Sequence, residues 1–113
     1  MESKSKSIID KHGIKRWRLP SGYLHREYGP AVEYKNGNKC WYINGKRHRV
    51  GGPAIEWNYD GYKAWYINGK LHREYGPAVE YKNGDKCWYI NGKEYSEQEY
   101  KKKMRLKKLK YIL

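Results

Sequence analysis

Residues 23–45 read YLHREYGPAVEYKNGNKCWYING, and residues 71–92 return with LHREYGPAVEYKNGDKCWYING. Each copy carries two Asn-Gly pairs, at 36–37 and 44–45 in the first, set among Tyr, Trp, Ile and Val. Asn-Gly accepts the positive φ angles of a two-residue hairpin turn, so this stretch points to β-hairpins in series. Taking Asn36-Gly37 as such a turn puts Val32 opposite Trp41 and Glu33 opposite Cys40. Taking Asn44-Gly45 as the next puts Trp41 opposite His48 and Cys40 opposite Arg49. Val32, Trp41 and His48 then make one row across three strands, with Glu33, Cys40 and Arg49 on the other face.

Working outward, the landmarks keep step. His25, His48 and His72 lie 23 and 24 residues apart, as do Pro30, Pro53 and Pro77, while Trp41, Trp65 and Trp88 lie 24 and 23 apart. KHGIKRW at 11–17 aligns with KNGNKCW at 35–41, so a partial copy precedes the first full one. The organisation expected is a disordered tail over 1–6, hairpin repeats over 7–95, and a basic helix over 96–113. The repeats divide into a partial copy at 7–22 and copies at 23–46, 47–70 and 71–93.

Two irregularities test the register. The turns at 20–22 (PSG) and 59–61 (YDG) each have three residues ending in glycine, as in a type I turn closed by a left-handed glycine. With these loops Trp17 faces His25 and Ile55 faces Trp65, so each insertion is absorbed inside a turn. Gly29-Pro30, Gly52-Pro53 and Gly76-Pro77 supply the bends between hairpins, because proline lacks a ladder donor. The fold class is therefore mainly β: an antiparallel hairpin array in one elongated meander sheet, with a C-terminal α-helix as cap.

NGKLHREYGPAVEYKNGDKCWYINGK resembles the MORN-like repeats, the "MORN repeat variant" of bacterial, phage and giant-virus proteins, over about residues 7–95. The resemblance implies an elongated sheet of hairpins that binds proteins or membranes without catalysis. Tyr28, Gly51 and Tyr75 stand where the family's string has Asp before Gly-Pro, and phospholipid binding is not carried over. A small viral or phage protein that inhibits a host defence factor fits this type.

Composition suits an array better than a deep globular core. The chain has 113 residues, only 38% of them apolar, with no Phe, 13 Tyr and 5 Trp. Such rings bury area while keeping a polar tip that needs a partner. The charge of +13 is uneven: residues 1–20 carry six Lys/Arg against two acids, and residues 96–113 carry seven against two. Cys40 and Cys87 occupy equivalent positions two copies apart, beyond disulfide reach in a stacked array. Free thiols and the lack of a signal or spanning stretch point to the cytoplasm, that of a host if the protein is viral.

His25-Arg26-Glu27 and His72-Arg73-Glu74 invite a catalytic reading. Adjacent strand residues point to opposite faces, however, so they do not converge on one atom. The middle copy reads His48-Arg49-Val50, without the acid. The expectation is structural: each His packs on the Trp opposite, and Arg26, Arg49 and Arg73 pair laterally with Glu33, Glu56 and Glu80. No enzyme activity, metal site or cofactor is expected. Trp41, His48, Trp65, His72, Trp88 and the Gly-Pro pairs are framework.

The tail EYSEQEYKKKMRLKKLKYIL leaves the pattern. Ser96-x-x-Glu99 is a capping box that opens a helix. Leu106, Leu109 and Leu113 fall on one side, and Tyr100, Met104 and Tyr111 nearly opposite. One stripe can dock on the last hairpin, the helix serving either as a cap alone or as a cap that offers its other stripe to a partner. Lys101, Lys102, Lys103, Met104, Arg105, Lys107, Lys108, Tyr100 and Tyr111 are the candidate binding residues. The expected partner is a protein with an acidic surface. The alternative is sequence-nonspecific binding of nucleic acid through phosphates. A membrane surface is disfavoured by the interrupted apolar faces, and the open sheet edge could pair two copies.

Overall fold

The computed structural model describes residues 4–112, with side chains described through residue 110. Thirteen strands precede one helix: β1 (Lys6–Ile9), β2 (Lys15–Arg18), β3 (Val32–Glu33), β4 (Lys39–Cys40), β5 (Tyr42–Ile43), β6 (Lys46–Arg47), β7 (Ile55–Trp57), β8 (Tyr62–Ala64), β9 (Tyr66–Ile67), β10 (Lys70–Leu71), β11 (Val79–Glu80), β12 (Lys86–Ile90), β13 (Lys93–Tyr95) and α1 (Glu97–Ile112). Nine strands form an antiparallel sheet in the order β1-β2-β3-β4-β7-β8-β11-β12-β13. The short hairpins β5–β6 and β9–β10 pair separately. This is the expected hairpin meander with a C-terminal helix, refined by a second row of small hairpins beside the main sheet. Of the tail expected over 1–6, residues 1–3 lie outside the described residues, and β1 already begins at Lys6.

The two Asn-Gly pairs of a copy form different turns. Asn44, Asn68 and Asn91 have positive φ, as do the glycines after them. Tyr42 accordingly pairs with Arg47 and Ile43 with Lys46 across a two-residue turn. His48 N–H donates to Trp41 C=O, so Trp41 does face His48.

At Asn36-Gly37 only the glycine has positive φ. Asn36 instead uses its side chain to accept from Asn38 N–H, and Gly37 N–H donates to Tyr34 C=O. The loop therefore holds three residues, Lys35 to Gly37, with Tyr34 opposite Asn38. The expected pairing of Val32 with Trp41 and Glu33 with Cys40 is corrected by one residue, to Val32–Cys40 and Glu33–Lys39. Ile55 likewise faces Ala64 rather than Trp65, across a four-residue turn from Asn58 to Gly61. The turn at 20–22 has the expected three residues, and His25 N–H donates to Trp17 C=O.

The corrected register defines the interior. Val32, Cys40, Ile55, Ala64, Val79 and Cys87 are successive neighbours in one row across the strands. The first five form the buried cluster, and Tyr34, Trp57, Tyr62, Tyr66 and Tyr89 pack around it. Next to this row runs Lys15–Glu33–Lys39–Glu56–Lys63–Glu80–Lys86, with the sign alternating at every strand. Opposite charges facing each other across strands contribute about 0.2–1 kcal/mol per pair and penalise a slipped register.

Candidate functional site

Each copy spends its most chemically capable side chains on its own framework. Arg26, Arg49 and Arg73 lie over the rings of Trp17, Trp41 and Trp65 at 3.7, 3.8 and 3.7 Å. The same guanidinium groups donate to the carbonyls of Pro30, Pro53 and Pro77 at 3.2, 3.0 and 3.0 Å. They also pair with Glu33, Glu56 and Glu80 at 3.4, 3.1 and 3.1 Å. The Arg–Glu pairs match the expectation from sequence. The glycine of each Gly-Pro sits beneath the guanidinium: a Cβ on Gly29, Gly52 or Gly76 would come within 2.8 Å of its carbon.

Each histidine lies opposite its tryptophan in the ladder, and it is arginine that covers the ring. The histidines do another task. Nδ1 of His25, His48 and His72 accepts from the backbone N–H of Asn44, Asn68 and Asn91 at 2.9, 3.0 and 3.0 Å. Each bond ties the start of a copy to the Asn-Gly turn at the end of the same copy. The recurring separations of 19, 20 and 19 residues were the signal in the sequence. Among the described residues, no three His, Cys, Asp or Glu side chains gather as a metal-binding group.

The third copy ends differently. Trp88 pairs with Tyr95, and the arginine that would follow is replaced by Ser96. The capping box forms as expected: Ser96 N–H donates to Glu99 Oε1 at 2.9 Å, and Glu99 N–H to Ser96 Oγ at 3.1 Å. That backbone bond holds the Glu99 carboxyl below its ordinary range.

One turn on, Tyr100 is buried, its ring centroid 6.5 Å from that of Trp88. Its hydroxyl donates to Arg73 C=O at 2.6 Å and accepts from Gly76 N–H at 3.1 Å. Two turns further, Lys107 meets Glu74 at 2.7 Å, and Glu74 lies 3.6 Å from His72 Nε2. The Lys107 bond lowers the Glu74 pKa. Helix α1 therefore docks on the Arg73–Gly76 loop through Tyr100 and Lys107.

Between α1 and that loop lies a groove of about 670 Å³. Tyr75, 89% exposed, stands on one side, with Tyr100 and Met104 along the wall and Lys101, Arg105 and Lys108 at the rim. The groove brings together Tyr100, Lys101, Met104, Arg105, Lys107 and Lys108 of the expected binding set. It leaves out Lys102 and Lys103, the latter 5.6 Å from the Tyr95 ring. Tyr100 serves as the anchor of the helix rather than as an exposed contact. The side chains of Tyr111 and Leu113 lie outside those described. Leu106 and Leu109 remain exposed, and Tyr75 is the wall residue that sequence reasoning missed.

No described helix is long and apolar enough to cross a membrane. Comparison with protein-family models, with curated proteins and with solved structures returns no match.

Proposed function

We propose that this chain is a non-enzymatic, MORN-like binding module whose C-terminal groove engages an acidic segment of a partner protein. The observation that carries this reading is the composition of the groove: an exposed tyrosine and a methionine flanked by the rim cations Lys101, Arg105 and Lys108. Aromatic, methionine and arginine side chains are the types that dominate protein contacts. The commitment of all three repeat histidines to turns, and of all three arginines to tryptophan, leaves binding to the end of the array.

The test is fluorescence anisotropy with a glutamate-rich peptide carrying one leucine, at about 0.15 M salt, where long-range attraction is screened beyond about 8 Å. Saturable binding that falls at least tenfold with Tyr75→Ala, and again with Arg105→Glu, is expected. Preferential, steeply salt-dependent binding of an arbitrary oligonucleotide, indifferent to Tyr75→Ala, would replace this reading with the nucleic-acid alternative.

A further inference from the structure

Leu24–Lys46 recurs as Leu71–Lys93 with one difference, Asn38 against Asp85. The loop that receives α1 therefore exists twice, and α1 fills only the second. At the first loop there is an open groove of about 590 Å³, lined by Arg26, Tyr28, Gly29, Trp41, Arg49 and Val50 among others. Tyr28 is 94% exposed and Val50 81% exposed, matching the exposed Tyr75 beside α1.

What α1 completes in the third copy is left incomplete in the first. Arg73 C=O and Gly76 N–H are both bonded by the Tyr100 hydroxyl. Among the described residues, no hydrogen bond reaches Arg26 C=O or Gly29 N–H, their counterparts. His72 Nε2 lies 3.6 Å from Glu74, the carboxylate that Lys107 of α1 holds. His25, its counterpart, is 5% exposed, and its Nε2 is buried without a partner among the described residues. A buried polar atom left in that state is costly, and such atoms are rare.

We propose that the first-copy groove is a second docking site, which takes a helix of a partner protein presenting tyrosine and, two turns later, lysine. This is the pattern of Tyr100 and Lys107, the one occupant that the duplicated loop demonstrably accepts. The tyrosine hydroxyl bridges Arg26 C=O and Gly29 N–H, and the lysine approaches the Glu27 side of the loop as Lys107 approaches Glu74. The floor differs in one respect: Arg49 covers Trp41, so the ring enters beside a guanidinium–indole stack. Helix α1 of a second copy is the poorer candidate. Its Tyr100 and Lys107 are already engaged, and two chains of net charge +13 repel.

The probe is a synthetic peptide of residues 96–112, added to the ¹⁵N-labelled full-length protein whose own α1 stays in place. The Gly29 amide and Trp41 indole N–H are expected to shift on titration, with Gly76 and Trp88 unmoved. Replacing the peptide's Tyr100 by Phe should weaken binding about tenfold or more, since two hydrogen bonds are lost. Tyr28→Ala in the protein should weaken it several-fold, and Tyr75→Ala should not. Tyr28 touches the first groove and Tyr75 the C-terminal one, so the two sites stand or fall separately. Equal affinity of the Tyr and Phe peptides, shifts confined to Gly76 and Trp88, or no shift at millimolar peptide would overturn the proposal.

Discussion

On Arg49 three interactions meet: the Trp41 ring at 3.8 Å, Pro53 C=O at 3.0 Å and Glu56 at 3.1 Å. Its side chain is 30% exposed, so the ion pair alone is worth little. The planar stack and the carbonyl bond carry more, and lysine reproduces neither. Arg49→Lys is therefore expected to lower stability by about 1–2 kcal/mol in urea denaturation; a change below a few tenths would count against these arginine contacts as a source of stability. Gly52→Ala should also destabilise, because its Cβ would come 2.8 Å from the guanidinium carbon, and Gly52 is not among the positive-φ glycines. In an Arg49→Ala background most of that penalty should vanish, a coupling that a double-mutant cycle measures directly. The Arg–Glu pairing was legible from strand spacing, whereas the guanidinium–tryptophan stack was not. The stack depends on where the chain bends at Gly-Pro, and alternation along a strand says nothing about a bend.

Helix α1 is held at three points: the capping box, the Tyr100 hydroxyl and the Lys107–Glu74 pair. Tyr100→Phe keeps the ring and removes two bonds, so a loss of about 1–2 kcal/mol is expected, with faster amide exchange in α1 than in the sheet. Burial raises the Tyr100 pKa, so the hydroxyl stays a donor throughout the neutral range.

The acid response has a definite sign. Folding depresses the pKa values of Glu74 and Glu99 below their ordinary 4.5, chiefly through Lys107 for the first and the Ser96 N–H for the second. Their contribution is complete above 4.5 and is lost as pH falls through the lower folded values. Helix content followed by circular dichroism should decline below about pH 4.5, with a smaller decline in Lys107→Met. An identical acid profile in that variant would remove Lys107 from the account. The helix start was legible because Ser96 and Glu99 act within four residues. Which stripe docks was not, since Tyr100 finds its partners on a loop 24 and 27 residues earlier.

Across the whole molecule, one buried row over six strands and one alternating charge row over seven fix the register from β2 to β12 of the nine-stranded sheet. Cys40 lies inside the buried row, 5% exposed, and burial pushes its thiol up to about 11. Cys87, further along the same row, is only half-buried. A thiol reagent at pH 8 should therefore modify Cys87 first and reach Cys40 only on unfolding; equal rates would contradict the row. The meander and its repeat were readable in the sequence, but the row was misplaced by one residue at Asn36-Gly37. The same dipeptide makes two turns, and the choice lies in whether asparagine takes positive φ, as Asn44 does, or bonds its own backbone two residues on, as Asn36 does. That one-residue slip also hid the alternating charges.

The account rests most heavily on the histidines as clamps that hold each copy's Asn-Gly turn to its start, and amide exchange at Asn44, Asn68 and Asn91 tests it most directly. Bonded to His25, His48 and His72, these turn amides should exchange slowly, and His25→Ala should release Asn44 while leaving Asn91 protected. Fast exchange at all three in the unaltered protein, or an Asn44 rate untouched by His25→Ala, would contradict it.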